Sequence, residues 1–236
     1  MLEVRNLAFD YAGEKILRDV SFVVSPGEIV SVIGANGAGK TTLLKILATL
    51  VVPAGGKVLE DGIDAFQRPL RYRRQLGYLP ENPQPYADMT VKEYLNFRAA
   101  LKGEPGKRIR RRVGESAELC LITDILRTRI GRLSAGLKKR VALADALLLR
   151  PRVLLLDDFL AGLDHSMRET SAQILSNAAA FSSVIITGHE LADLARWTTR
   201  FLVLKDGIIS STVETAGVDQ AVLKERILAG LQGGAS

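Results

Sequence analysis

Polar and apolar residues alternate along residues 2–9 and again along 16–24, the two-residue period of strands with one face in water. A turn at 10–15 joins them, and Ser25-Pro26-Gly27 closes the second run, so the pattern predicts an antiparallel β arm. The pattern then changes. Residues 28–33 form an apolar, β-branched stretch expected to be a strand buried on both faces. Residues 42–50 carry apolar side chains at helical spacing. Beyond the break at 53–56, residues 57–62 read as a strand and turn, and 75–79 as a short strand running into the Pro-bounded loop 80–83. Helical spacing returns at Val91, Tyr94, Leu95, Phe97 and Leu101, and a basic run then opens a second helix towards Leu121. A third apolar helix is expected over 141–149, with Ser134 placed to cap it. Apolar runs at 153–156 and 183–187 predict two more core strands, separated by a helix over 170–180. Strands at 201–205 and 208–213 flank Asp206-Gly207, and a helix near 218–231 ends the chain.

Composition narrows the class. At 236 residues, with 47% hydrophobic and 25% charged residues, the chain is an ordinary globular α/β protein. The single cysteine, Cys120, excludes an intramolecular disulfide framework and fits a reducing compartment. It stands in the apolar run 118–122, where it reads as buried packing. No stretch approaches the ~20 apolar residues of a membrane span, and residues 1–5 lack a secretory apolar core. The expectation is a cytoplasmic protein that sits on the inner face of the cell membrane through a partner. The net charge of +6 is compatible with nucleic acid, anionic lipid or nucleotide. The cluster Lys107, Arg108, Arg110, Arg111 and Arg112 has no interleaved aromatics and no helix-turn-helix or zinc-ligand spacing, which disfavours nucleic acid.

The chemistry concentrates at Gly34-Ala35-Asn36-Gly37-Ala38-Gly39-Lys40-Thr41-Thr42, between the buried strand and the first helix. G-x-x-x-x-G-K-T in that context is a phosphate-binding loop. The glycines let backbone N–H groups face phosphate oxygens, and the helix that follows adds its positive dipole end. Lys40 reaches the β- and γ-phosphates, while the Thr41 hydroxyl is a ligand for Mg²⁺. The strand at 153–156 delivers Asp157 and Asp158 to the sheet edge where ligands bind. Asp157 is the second Mg²⁺ candidate; Asp158, one residue on, is expected to face the other way and to orient an attacking water. His189 ends the next core strand at the same edge. Tyr11, at the tip of the β arm, is either packing or a stacking partner for a base.

Taken in order, these features resemble the ATP-binding subunit of an ABC transporter over almost the whole chain. The most specific element is the signature that opens a helix before the acid-bearing strand, here Leu133-Ser134-Ala135-Gly136-Leu137. The resemblance implies a single domain over 1–236. A nucleotide-binding core with a mostly parallel sheet and the β arm occupies 1–83 and 141–236, and a helical insert about 84–140. It also implies a head-to-tail pairing with a second ATPase domain, identical or related, in which Ser134 and Gly136 cap the γ-phosphate held by the other copy. Tyr11 resembles the aromatic that stacks on adenine. Glu81 stands in the place of the loop glutamine that senses Mg²⁺, Asp164 in that of an aspartate facing the opposite domain, and His189 in that of the histidine gripping the γ-phosphate. The insert would receive a helix of an integral-membrane permease carried on a separate chain. The wording of 77–83 and 89–95 is most similar to bacterial exporters.

Four departures stand out: Ala135 and Leu137 in the signature, Glu81 for glutamine, Phe159 for the proline after the catalytic acid, and Asp158 for glutamate. Aspartate is shorter by one methylene, roughly 1.5 Å, and a misplacement of about 1 Å in an active site costs on the order of 10²-fold in rate. The sequence therefore predicts intact binding of ATP with slow hydrolysis. Two other readings are a regulatory ATP-dependent clamp and a non-transport relative acting on ribosomes or DNA.

Overall fold

The computed structural model describes residues 1–232. The elements run β1 (Leu2–Tyr11), β2 (Glu14–Val24), β3 (Ile29–Ile33), α1 (Lys40–Leu47), β4 (Gly55–Glu60), β5 (Ile63–Asp64), α2 (Pro69–Arg73) and β6 (Leu76–Leu79). They continue with α3 (Val91–Leu101), α4 (Gly106–Leu119), α5 (Ala135–Leu147), β7 (Val153–Leu156), α6 (His165–Ala179) and β8 (Ser183–Thr187). The last four are α7 (Leu191–Leu194), β9 (Arg200–Lys205), β10 (Ile208–Glu214) and α8 (Gln220–Gln232).

A six-stranded sheet in the order β10-β9-β3-β8-β7-β6 forms the centre. It is parallel from β6 to β9, with only β10 running against its neighbour. Its inner strands β3, β7 and β8 are buried at every residue, as strands covered on both faces must be. Alternate side chains serve different cores. Val30, Val32, Leu155 and Ile185 pack with Leu43, Leu44, Ile46 and Leu47 of α1 and with the arm. Leu154, Leu156, Val184 and Ile186 pack with α5 and α6 on the opposite face. The arm is a four-stranded antiparallel sheet, β2-β1-β4-β5, so the two strands expected at the N-terminus are joined by two more.

Helix boundaries depart from the hydrophobic pattern where polar caps take over. Helix α5 begins at Ala135, with the Ser134 side chain accepting from the Leu137 N–H at 3.3 Å. The basic residues 138–140 are therefore inside the helix, and the expected insert–core border at 140/141 falls within one continuous element. Helix α6 starts at His165 because Asp164 caps it through the Met167 N–H at 2.8 Å, several residues before the expected start at 170. The first helix stops at Leu47, followed by Thr49 at φ 56°, and the short α2 carries no readable apolar period. Thr90 and Glu93 form a reciprocal capping box at α3. Cys120 is buried, which pushes its thiol well above the usual range. Among the described residues no helix is long and apolar enough to cross a membrane.

Candidate nucleotide site

The phosphate loop lies at the C-terminal end of β3, a central strand of the sheet, where parallel sheets bind ligands. Two of its glycines are required by space. A Cβ on Gly34 would come within 2.3 Å of the Leu204 carbonyl oxygen. Gly39 holds φ 100° at the N-cap of α1, with no side chain capping the helix. The first N–H groups of α1 are thus left to an outside acceptor, the arrangement that binds anions. Lys40 folds across the loop and donates to the carbonyls of Gly34 at 2.8 Å and Ala35 at 2.9 Å. Burial lowers its pKa, while the Asp158 and Asp157 carboxylates oppose that shift.

Asp157 is only 1% exposed. Its Oδ1 accepts from the Thr187 hydroxyl at 2.8 Å and from the Thr41 hydroxyl at 3.2 Å. Its Oδ2 is buried and has no hydrogen-bond partner among the described residues. A buried carboxylate oxygen left open beside the hydroxyl of a phosphate-loop threonine fits a hard divalent cation such as Mg²⁺.

Asp158 does not face away from Asp157. Strand β7 ends at Leu156, and Asp158 turns into the left-handed region at φ 42°, which Asp tolerates better than most residues. The two-residue alternation is broken there, and both carboxylates line one cavity of about 540 Å³ with Lys40, Thr41, Glu81 and His189. Thr42, Asn36, Gly37 and Gly39 also line it. A second cavity of about 570 Å³, flanked by the β2 start and the β9–β10 turn, shares Asn36, Gly37 and His189 and adds Gly34 and Ala38.

Three expected site residues lie elsewhere. Tyr11 is 73% exposed at the tip of the arm and lines neither cavity. Ser134 and Gly136, at the start of α5, also line neither.

Sequence reading missed three polar groups beside the acids. Thr187 accepts from the Asp158 N–H at 2.9 Å while donating to Asp157, so one hydroxyl sets both residues. Its signal was available: it is the polar C-terminal residue of a buried strand whose three middle residues are apolar. Lys139 donates to the Phe159 and Ala161 carbonyls. Among the described residues, Glu190 has a buried Oε2 without a hydrogen-bond partner, as does Asp158 at Oδ1. A Cβ on the intervening Gly188 would lie 3.9 Å from each. For Lys139 and Glu190 no local pattern carries the signal, because only the tertiary fold brings them to Asp158.

Residues 17–161 match the sequence pattern of the family described as ABC transporter. The uncharacterized ABC transporter ATP-binding protein YxlF of Bacillus subtilis is 33% identical over 89% of this chain and 70% of its own length. The putative 2-aminoethylphosphonate import ATP-binding protein PhnT of Salmonella typhimurium is 31% identical over 91% of this chain. The chain spans 59% of that relative's length. Among solved structures, a dimeric bacterial ABC transporter cassette superposes with a TM-score of 0.78 at 26% identity, covering 92% of this chain and all of that one.

Proposed function

Because the chain belongs to the ABC transporter family and is one of its ATP-binding subunits, we propose that it hydrolyses ATP to drive a membrane permease carried on a separate chain. The observation that carries the proposal is the convergence of Thr41 and Thr187 on the buried Asp157, behind a loop whose lysine is folded onto its own carbonyls. Thr41 and Asp157 would hold Mg²⁺, with Glu81 beside them; the ion, when bound, neutralises charge on the β- and γ-phosphate oxygens. Lys40 exchanges its contacts with the Gly34 and Ala35 carbonyls for phosphate oxygens. The loop's N–H groups and those opening α1 cradle the phosphates. Asp158 accepts the proton of the attacking water, and His189 meets the γ-phosphate from the end of β8. Tyr11 stacks on the base, which requires the arm tip to bend towards the groove or the base to reach it.

A second copy, or a related subunit, brings Ser134 and Gly136 to the phosphates, which accounts for their distance from the cavity of their own chain. The exporter direction is supported only by the wording of 77–83 and 89–95. PhnT carries import in its name, so the proposal concerns the motor and leaves the direction to the permease.

Steady-state ATP hydrolysis by the purified chain with Mg²⁺ tests this reading. Activity should be present, rise more steeply than linearly with protein concentration, and fall at least about 10²-fold in Lys40→Ala. Tight ATP binding without turnover at any protein concentration would favour the regulatory clamp.

A further inference from the structure

We infer that Lys139 is a positioning residue for Asp158, holding the turn that carries this acid against the helix that Ser134 caps. The inference rests on the ATPase reading above. The Lys139 ammonium donates to the Phe159 carbonyl at 3.1 Å and to the Ala161 carbonyl, one and three residues beyond Asp158. These carbonyls belong to a tight turn, with Asp158 at φ 42° and Gly162 at φ 73°. Within it, the Ala161 N–H bonds back to the Asp158 carbonyl at 3.2 Å. Phe159 and Leu160 are anchored in the core, 1% and 0% exposed, so their side chains fix the turn on one side. The ammonium fixes its backbone from the other. A backbone carbonyl in such a place needs a donor, and a single cation supplies both.

The charge of Lys139 matters as well as its hydrogen bonds. Asp158 Oδ1 and Glu190 Oε2 are both buried without hydrogen-bond partners among the described residues, and a Cβ on Gly188 would lie 3.9 Å from each. Two carboxylates so placed repel each other unless a cation stands near. Lys139 is attracted by Asp158 first, then by Glu190 and Glu81, against the burial that lowers its pKa. Arg168 takes another part of the load, meeting Glu190 at 3.4 Å and donating to the Leu163 carbonyl at 2.9 Å.

The same helix serves two ends. Lys139 lies five residues beyond Ser134, about 7.5 Å along the axis at 1.5 Å per residue. The first turn of α5 is wedged against α6, since a Cβ on Gly136 would meet Met167 Cε at 2.4 Å. Movement of the Ser134 end is therefore carried to the Asp158 turn through a short, packed lever.

The test compares Lys139→Met, Lys139→Gln and Lys139→Arg with the wild type by two readouts. In the nucleotide-free protein, hydrogen exchange over residues 158–163 should quicken at least about tenfold in Lys139→Met, with β7 unchanged. In turnover, kcat should fall about 10–100-fold while the KM for ATP stays within about twofold. Lys139→Arg should restore kcat to within a few-fold, whereas Lys139→Gln, which keeps a donor but no charge, should not. Unchanged exchange in Lys139→Met overturns the clamp, and a Lys139→Gln as active as the wild type overturns the role of the charge. Absence of turnover in the wild type would instead defeat the ATPase reading, and the exchange measurement would still decide the clamp.

Discussion

Asp158 is held by its backbone more firmly than by its side chain. Its N–H is bonded to Thr187 and its carbonyl to the Ala161 N–H, while Oδ1 is buried with no hydrogen-bond partner among the described residues. A carboxylate in this state is available to a water but must reach it, and aspartate reaches roughly 1.5 Å less than glutamate. Asp158→Glu is therefore expected to raise kcat about tenfold or more, with ATP affinity within about twofold of the wild type. The left-handed backbone disfavours the longer side chain, which should lower stability by about 1 kcal/mol. Turnover equal to or below the wild type in a folded Asp158→Glu, measured with saturating Mg²⁺ and ATP, would show that reach does not limit this site. At this scale the sequence was legible where spacing alone brings residues together, as for Lys40, Thr41 and Asp157, which line one cavity. It was misleading at Asp158, where strand alternation was extended two residues past the end of β7.

Between elements, the decisive contact of the insert is a charge cluster on one helix-packing surface. Asp145 of α5 accepts from Arg98 Nε at 2.8 Å and from the Tyr94 hydroxyl at 3.2 Å, and pairs with Lys102 at 2.8 Å. The three partners belong to α3 or its C-terminal cap. Asp145 itself is 11% exposed, Lys102 22% and Arg98 33%. Burial depresses the pKa of Lys102 and the Asp145 charge opposes it, so removal of the acid leaves an ammonium and a guanidinium facing each other in a poorly solvated seam. Breaking a fully buried pair costs about 3–5 kcal/mol; with Arg98 a third exposed, about 2–4 kcal/mol is expected for Asp145→Ala. Urea unfolding checks this, and a loss under about 1 kcal/mol would mean that α3 and α5 are held by their apolar contacts alone. None of this was legible in the pattern, because Asp145 stands within the apolar run 141–149. The hydrophobic period located the helices, but their ends followed polar caps: Ser134 for α5 and Asp164 for α6. Nor does any local pattern show that Lys139 and Arg140, in the basic stretch 138–140, donate to carbonyls of other segments.

The whole molecule places its phosphate loop, both acids and His189 at one edge of a mostly parallel sheet, as the apolar runs of β3, β7 and β8 imply. That edge is open. Asn36, Gly37 and His189 are exposed, so a γ-phosphate lying there would face water on its outer side. Hydrolysis at a controlled rate needs that side covered by donors in a water-poor setting. The start of α5, Ser134 with Gly136, lies outside both cavities. On the proposed reading a second copy would cover it, and a solved cassette that superposes on 92% of the chain is dimeric. Sedimentation velocity with Mg²⁺ and a non-hydrolysable ATP analogue should therefore show the mass doubling at tens of micromolar protein, with a monomer in its absence. Ser134→Ala is a poor control, since loss of the α5 cap alone costs about 1 kcal/mol. Ser134→Asp keeps a capping oxygen but sets a carboxylate against phosphate, so it should leave the unfolding midpoint near the wild type and abolish the nucleotide-dependent dimer. A dimer that survives Ser134→Asp would place the capping group elsewhere on the chain. A wild type that stays monomeric with the analogue would mean that a different subunit completes the site.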